Sequence, residues 1–253
     1  MAEPKAAWCK KFYWYAAEHL NLDVDLRYRA VARLLKEFVR PGTEVLEVGA
    51  GAITIGHYFR CRTVAVDPSF DEPEANHTNR IRGSATALPF SDRQWDVVCS
   101  VDMLEHIPPE VRYRAILESV RVARSLVVIA VPVGEAAYRH DVQTHEYYLS
   151  KHGIPHRFNA EHVELGLPSG SQVKEWIENA ASELGRRVKI VERPNVNIRL
   201  RLWYMKLSLH PAILIRSLYV ALYPLAYVGW TMDRGECYRR IYAAVLKECD
   251  AAA

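Results

Sequence analysis

Hydrophobic positions follow two rhythms along the chain. Before residue 42 the spacing is helical: Leu26, Ala30, Leu34 and Phe38 share one face of a helix predicted over 25–39. An aromatic helix over 5–19, with Trp8, Phe12, Tyr13, Trp14 and Tyr15, precedes it. Pro41-Gly42 ends the helical stretch. From there short β-rich runs at 43–48, 63–66, 80–83, 95–101 and 126–131 alternate with helical ones at 53–59 and 109–123, the latter opening on a proline. The unbroken apolar run 126–131 is of the kind buried on both faces of a parallel sheet. This alternation predicts an α/β protein with helices on both faces of the sheet. Beyond 133 the rhythm weakens. Residues 134–170, dense in His and Tyr, read as a long loop or lid; 171–184 as a helix, 187–192 as a strand, 198–232 as an apolar aromatic segment and 238–246 as a closing strand.

Composition narrows the class. With 253 residues, half of them hydrophobic and a quarter charged, the chain can bury one large core, and collagen-like or low-complexity readings fall away. A net charge of +3 is too mild for a nucleic-acid-binding surface. The five cysteines (9, 61, 99, 237 and 249) are scattered and form no CxxC, so neither a disulfide framework nor a structural zinc site is expected. The first residues hold no apolar core of signal-peptide length, and a reducing cytoplasm is the expected setting.

Chemistry enters at Glu47-Val48-Gly49-Ala50-Gly51, closely spaced glycines after a strand, where a ligand can approach the backbone. In an open α/β sheet this turn lies at the carboxyl edge, where ligands bind. Asp67-Pro68 ends the next strand, about 20 residues on, where an acid can accept hydrogen bonds from ribose hydroxyls. A dinucleotide would want a third glycine where Thr54 stands. Glu47 at the strand end repels a pyrophosphate but suits a ligand carrying an ammonium group. The charge pattern favours a nucleoside joined to an amino acid.

This stretch resembles the first motif of the class I S-adenosylmethionine-dependent methyltransferases, of the type 11 kind. The resemblance continues through Val64-Ala65-Val66-Asp67, then Gly83-Ser84-Ala85-Thr86-Ala87-Leu88-Pro89-Phe90, then Trp95-Asp96-Val97-Val98-Cys99-Ser100-Val101-Asp102-Met103-Leu104-Glu105-His106, covering 43–132 in order. It implies a Rossmann-like, doubly wound, seven-stranded, mostly parallel sheet in one domain over 1–253. A helical cap would take 1–41, the cofactor-binding half 42–133, and insertions or a lid 134–170 and 198–232. It implies S-adenosyl-L-methionine as cofactor. Glu47, Gly49, Ala50 and Gly51 would hold its methionine end, Asp67 and Pro68 the ribose, and Ser84, Ala85 and Thr86 the adenine; Asp102 and Met103 would also contact the cofactor, with Asp102 and Glu105 lining the transfer site. Ser84 departs from the family, which usually has Asp there. Phe12, Tyr13, Trp14 and Tyr15 are expected to close over the cofactor. The alternatives are a non-catalytic binding protein of the same fold, towards which Ser84 leans, and an NAD-dependent reductase, which Glu47 and Thr54 oppose.

The acceptor is less legible. An oxygen acceptor needs a base, and histidine suits neutral pH. Half of the ten histidines lie in 140–162, after the fifth strand, and His145, His156 and His162, with His106, are the candidate bases or acceptor ligands. No HExxH or other regular ligand spacing appears, so no metal is expected. The acceptor is expected to be a small molecule, a glycan or a lipid-linked compound. Residues 198–232, with Arg199, Arg201 and Lys206 beside tryptophans and tyrosines, are interrupted by Pro211, Arg216, Pro224 and Gly229 and do not read as a membrane span. A helical pair over the pocket, a peripheral membrane contact and a homodimer interface all fit that segment.

Overall fold

The computed structural model describes residues 21–51, 53–70 and 79–248. The expected helix over 5–19, its aromatic residues and most of the loop 71–79 lie outside them.

Helix α1 (Leu22–Phe38) starts at Asn21, whose side chain accepts from the backbone N–H of Val24 and so satisfies one of the helix's unpaired amides. It buries Leu26, Ala30, Val31, Leu34 and Leu35. Strands β1 (Glu44–Val48), β2 (Arg62–Asp67), β3 (Asn79–Arg82), β4 (Trp95–Val101) and β5 (Ala123–Pro132) are parallel, while β7 (Cys237–Glu248) runs antiparallel between β5 and β6 (Arg186–Asn197). The order is β3-β2-β1-β4-β5-β7-β6, the seven-stranded, mostly parallel arrangement expected.

Apolar runs on the central strands feed two cores. On one face Val45, Val97 and Val128 meet Val31 and Leu35 of α1. On the other, Leu46, Val98 and Val127 meet Ile116 and Val120 of α2 (Pro109–Val122) and Ile177 of α5 (Gly170–Glu183). The order reverses between β1 and β4, so their connections diverge and leave a crevice at the carboxyl ends.

Three regions differ from the sequence reading. The helix expected over 53–59 is a single 3-10 turn, Ile55–His57, capped by Thr54. The lid at 134–170 is helical, as α3 (Gly134–His152) and α4 (Arg157–Leu165). The apolar segment divides into α6 (Ile198–Ser208), α7 (Ile213–Ala221) and a kinked 3-10 stretch, Tyr223–Met232. Among the described residues no single helix is long and apolar enough to cross a membrane.

Candidate active site

At the crevice lies a cavity of about 1070 Å³, lined by the ends of β1, β2 and β4, by α1, and by α4, α6 and α7. That is at the upper end for a small-molecule pocket.

The glycine turn forms its floor. Gly49 has φ +74, and a Cβ there would sit 2.1 Å from Cγ of Met103, so conformation and packing both require glycine. Among the described residues nothing lies within 4 Å of where a Gly51 Cβ would be, which leaves the backbone open to the cavity. Asp67 and Pro68 line the next section, with Oδ1 of Asp67 accepting from the backbone N–H of Ser69 at 2.8 Å. Ser84, Ala85 and Thr86 follow; the Ser84 hydroxyl lies 2.8 Å from that of Thr86.

Glu47 and Ala50 are placed differently from expectation. Both are buried and neither lines the cavity. The Glu47 carboxylate accepts from the Tyr28 hydroxyl at 2.9 Å and from the Ile55 N–H at 2.7 Å, so it braces the turn from beneath. Burial raises its pKa from 4.5 to about 7, only partly offset by those two donors. The electrostatic selection of an ammonium by Glu47 therefore does not act by direct contact.

Asp102 also carries a role that the sequence hid. It adopts φ +51, rare for a residue with a side chain, at the end of β4. Its oxygens accept from Nε and Nη2 of Arg239 at 2.5 and 2.6 Å and from Arg27 at 2.7 Å. Burial opposes its charge, but Arg239 and Arg27 hold its pKa low. Asp23 is paired likewise with Arg201 at 3.0 Å and receives the Tyr204 hydroxyl at 2.6 Å. Arg201 stacks 3.7 Å from the ring centre of Tyr238, whose hydroxyl donates to Asp141 at 2.8 Å. Asp102 thus lines the cavity as a neutralised group, not a free anion.

The histidines separate. His106, in a 3-10 turn after β4 (Leu104–His106), and His162, on α4, meet with Nε2 atoms 3.3 Å apart. Behind them, Nδ1 of His106 lies 2.8 Å from Glu161 and Nδ1 of His162 lies 2.7 Å from Asp141. Burial lowers the pKa of His106, assisted by His162; burial also opposes charge on His162, but Asp141 and Glu105 outweigh it and raise its pKa. Glu105 is fully buried beside them, and among the described residues neither of its oxygens has a hydrogen-bond partner. Burial and the nearby Asp102 raise its pKa to about 8. Glu105, His106 and His162 offer ligand atoms all within 4.8 Å of one another, a grouping that the absence of a spacing motif had argued against. His156 lines the cavity, its Nδ1 facing the Asn159 N–H at the start of α4. His145 on α3 does not line it.

Comparison with known proteins places this arrangement. Residues 46–131 match the family described as "Methyltransferase domain". The match spans about a third of the chain, from β1 to β5, and marks that part as a methyltransferase domain. No curated protein matches it in sequence. Among solved structures it resembles a SAM-dependent methyltransferase of Thermotoga maritima, at 14% identity and TM-score 0.52, over 94% of this chain and 95% of that one. It also resembles the [4+2]-cyclase SpnF, at 16% identity and TM-score 0.50, over 86% and 80%. A third is phosphoethanolamine N-methyltransferase 2 of Haemonchus contortus in complex with S-adenosyl-L-methionine, at 14% identity and TM-score 0.50, where the match covers 87% of this chain but 52% of that one. At these identities the likeness shows the fold.

Proposed function

We propose that the enzyme binds S-adenosylmethionine over Gly49, Gly51, Asp67 and Ser84-Ala85-Thr86 and methylates an oxygen of a lipid-linked acceptor. The residues fit that cofactor. The backbone at Gly51 is open to the cavity, an acid ends β2, and two hydroxyls line the next turn. When bound, the cofactor supplies a methyl group on a positively charged sulfur. The chain's own residues supply alignment and acceptor activation. Arg27 and Arg239 occupy the Asp102 carboxylate, so this part of the wall presents no free anion. An acceptor hydroxyl is activated at Glu105, His106 and His162, which line the same cavity as the glycine turn. The observation that carries this reading is the meeting of both groups of residues in one cavity.

The lipid-linked character rests on α7. Its inner side contributes Arg216, Tyr219 and Val220 to the cavity wall, while Leu214 is 80% and Leu218 56% exposed. Trp203, Tyr227 and Trp230, also exposed, lie in the same segment. An apolar surface flanked by tryptophan and tyrosine suits a bilayer interface. It would bring the acceptor's tail to the cavity mouth.

Calorimetry with S-adenosylhomocysteine tests the cofactor: micromolar binding is expected, lost in Asp67→Ala, and absence of binding removes the reading. Transfer from labelled cofactor in a membrane extract, followed by partition between water and organic solvent, tests the acceptor. Label in the organic phase is expected, and label confined to water overturns the lipid assignment.

A further inference from the structure

The geometry points to a divalent transition-metal site formed by Glu105, His106 and His162, with its open coordination position facing the cavity. The argument starts from tautomers. Glu161 and Asp141 are carboxylates, so each accepts a hydrogen bond, and the proton on both imidazoles must sit on Nδ1. In the neutral histidines the two Nε2 atoms then carry lone pairs, and these face each other at 3.3 Å. Two lone pairs at that distance repel unless a proton on one nitrogen or a metal cation lies between them. Two nitrogens at about 2.0–2.1 Å from a tetrahedral zinc stand about 3.3–3.4 Å apart, the separation seen here.

A carboxylate behind each ligating imidazole is also the usual support of a metal-bound histidine, fixing its tautomer and orientation. The third ligand, Glu105, is the buried carboxylate without a partner. Among the described residues no surrounding cation hydrogen-bonds it. Arg27 and Arg239 are engaged by Asp102, Arg201 by Asp23, and the buried Arg112 donates to the carbonyls of Ile107, Leu165 and Gly166. The same cluster thus sets facing imidazole nitrogens beside a buried carboxyl that has no hydrogen-bond partner among the described residues. A cation resolves both. Two imidazoles and one carboxylate with an open position suit zinc or iron(II). Glu105 and both histidines line the cavity, so that position is reachable from it. Holding an acceptor hydroxyl there would lower its pKa; this last role rests on the reading above, whereas metal binding does not.

The test is calorimetric titration of the chelator-dialysed full chain with Zn²⁺, repeated with Co²⁺ while following visible absorption. One equivalent bound, with the absorption of a low-coordinate Co²⁺ site, is expected. Glu105→Gln and His162→Asn should each weaken binding at least tenfold, and Asp141→Asn, which touches no metal, about 10–100-fold. His106→Asn, at the half-buried rim, gives a second ligand variant should His162→Asn fail to fold, with circular dichroism as the check. No stoichiometric binding overturns the proposal, as does Zn²⁺ binding that His106→Asn leaves unchanged. In either case His162 would be a protonated imidazolium donating to His106. S-adenosylhomocysteine binding, measured on the same protein, separates this outcome from failure of the cofactor reading.

Discussion

Replacing Glu47 by Gln isolates the electrostatic consequence of burying an acid under the glycine turn. The amide keeps an acceptor for the Ile55 N–H and places its NH₂ beside the Tyr28 hydroxyl, which still donates to the Ile53 carbonyl at 3.0 Å. What disappears is titration. The folded-state pKa of Glu47 is raised from 4.5 to about 7, so the folded protein binds this proton more tightly than the unfolded chain does. The stability it contributes is fully present below pH 4.5 and is lost as pH rises through 7. For this shift the loss between pH 5 and pH 8 is about 2.5 kcal/mol, at about 1.4 kcal/mol per pKa unit. Urea denaturation of both proteins across that range reads it out. The difference in unfolding free energy, wild type minus Glu47→Gln, should become more negative by that amount, because every other titrating group is shared. Parallel pH profiles would refute the reasoning and mean that the carboxylate is solvated in solution.

Three further outcomes follow from the same neighbourhood. Asp102→Asn leaves the fully buried Arg239 and the adjacent Arg27 without their anion and should cost about 3–5 kcal/mol in urea unfolding; a loss below about 1 kcal/mol would mean that water reaches the pair. Gly49→Ala drives a Cβ into Met103 at positive φ and should cost about 1–3 kcal/mol; Met103→Ala in the same chain removes the clash with Cγ but leaves Cβ 2.6 Å away, so restoration is partial, and full restoration would show that neither that contact nor the backbone conformation carries strain. Tyr238→Phe removes the hydroxyl shared by both Asp141 oxygens and should lower stability by about 1.5–3 kcal/mol in thermal unfolding, and an unchanged midpoint would contradict that bond.

The sequence exposed the site unevenly, for physical reasons. Strands buried on both faces announce themselves as apolar runs, and 95–101 coincides with β4 to the residue. Strand order, by contrast, came from family resemblance and not from any local pattern. Helix α3 escaped notice because its buried side is polar, with His140, Asp141 and Thr144 where an apolar stripe would be sought. The helix expected after the glycine turn stops at one turn; Gly56 sits where an added Cβ would be 2.7 Å from the Thr63 hydroxyl, holding it close to β2. Gly49, Gly51, Asp67 and Ser84 were legible because short motifs carry them. The pairing of Asp102 with Arg239, and of Asp23 with Arg201, joins residues more than a hundred positions apart, and no local spacing encodes that. His162 was one candidate among several, and only the packing of α4 against the turn after β4 set it against His106.

The antiparallel β7 inserts Tyr238 and Arg239 into a network whose other members begin at Asp23. A ribosome-bound chain lacking that strand can pair β1 through β5, yet it leaves Asp102 and Asp141 without these two partners. Pocket maturation is therefore a late folding event, dependent on contacts between the opposite extremes of the described chain, and non-local closure of this sort is slow. Until it happens, a nascent molecule carries the glycine turn but only part of the acceptor side.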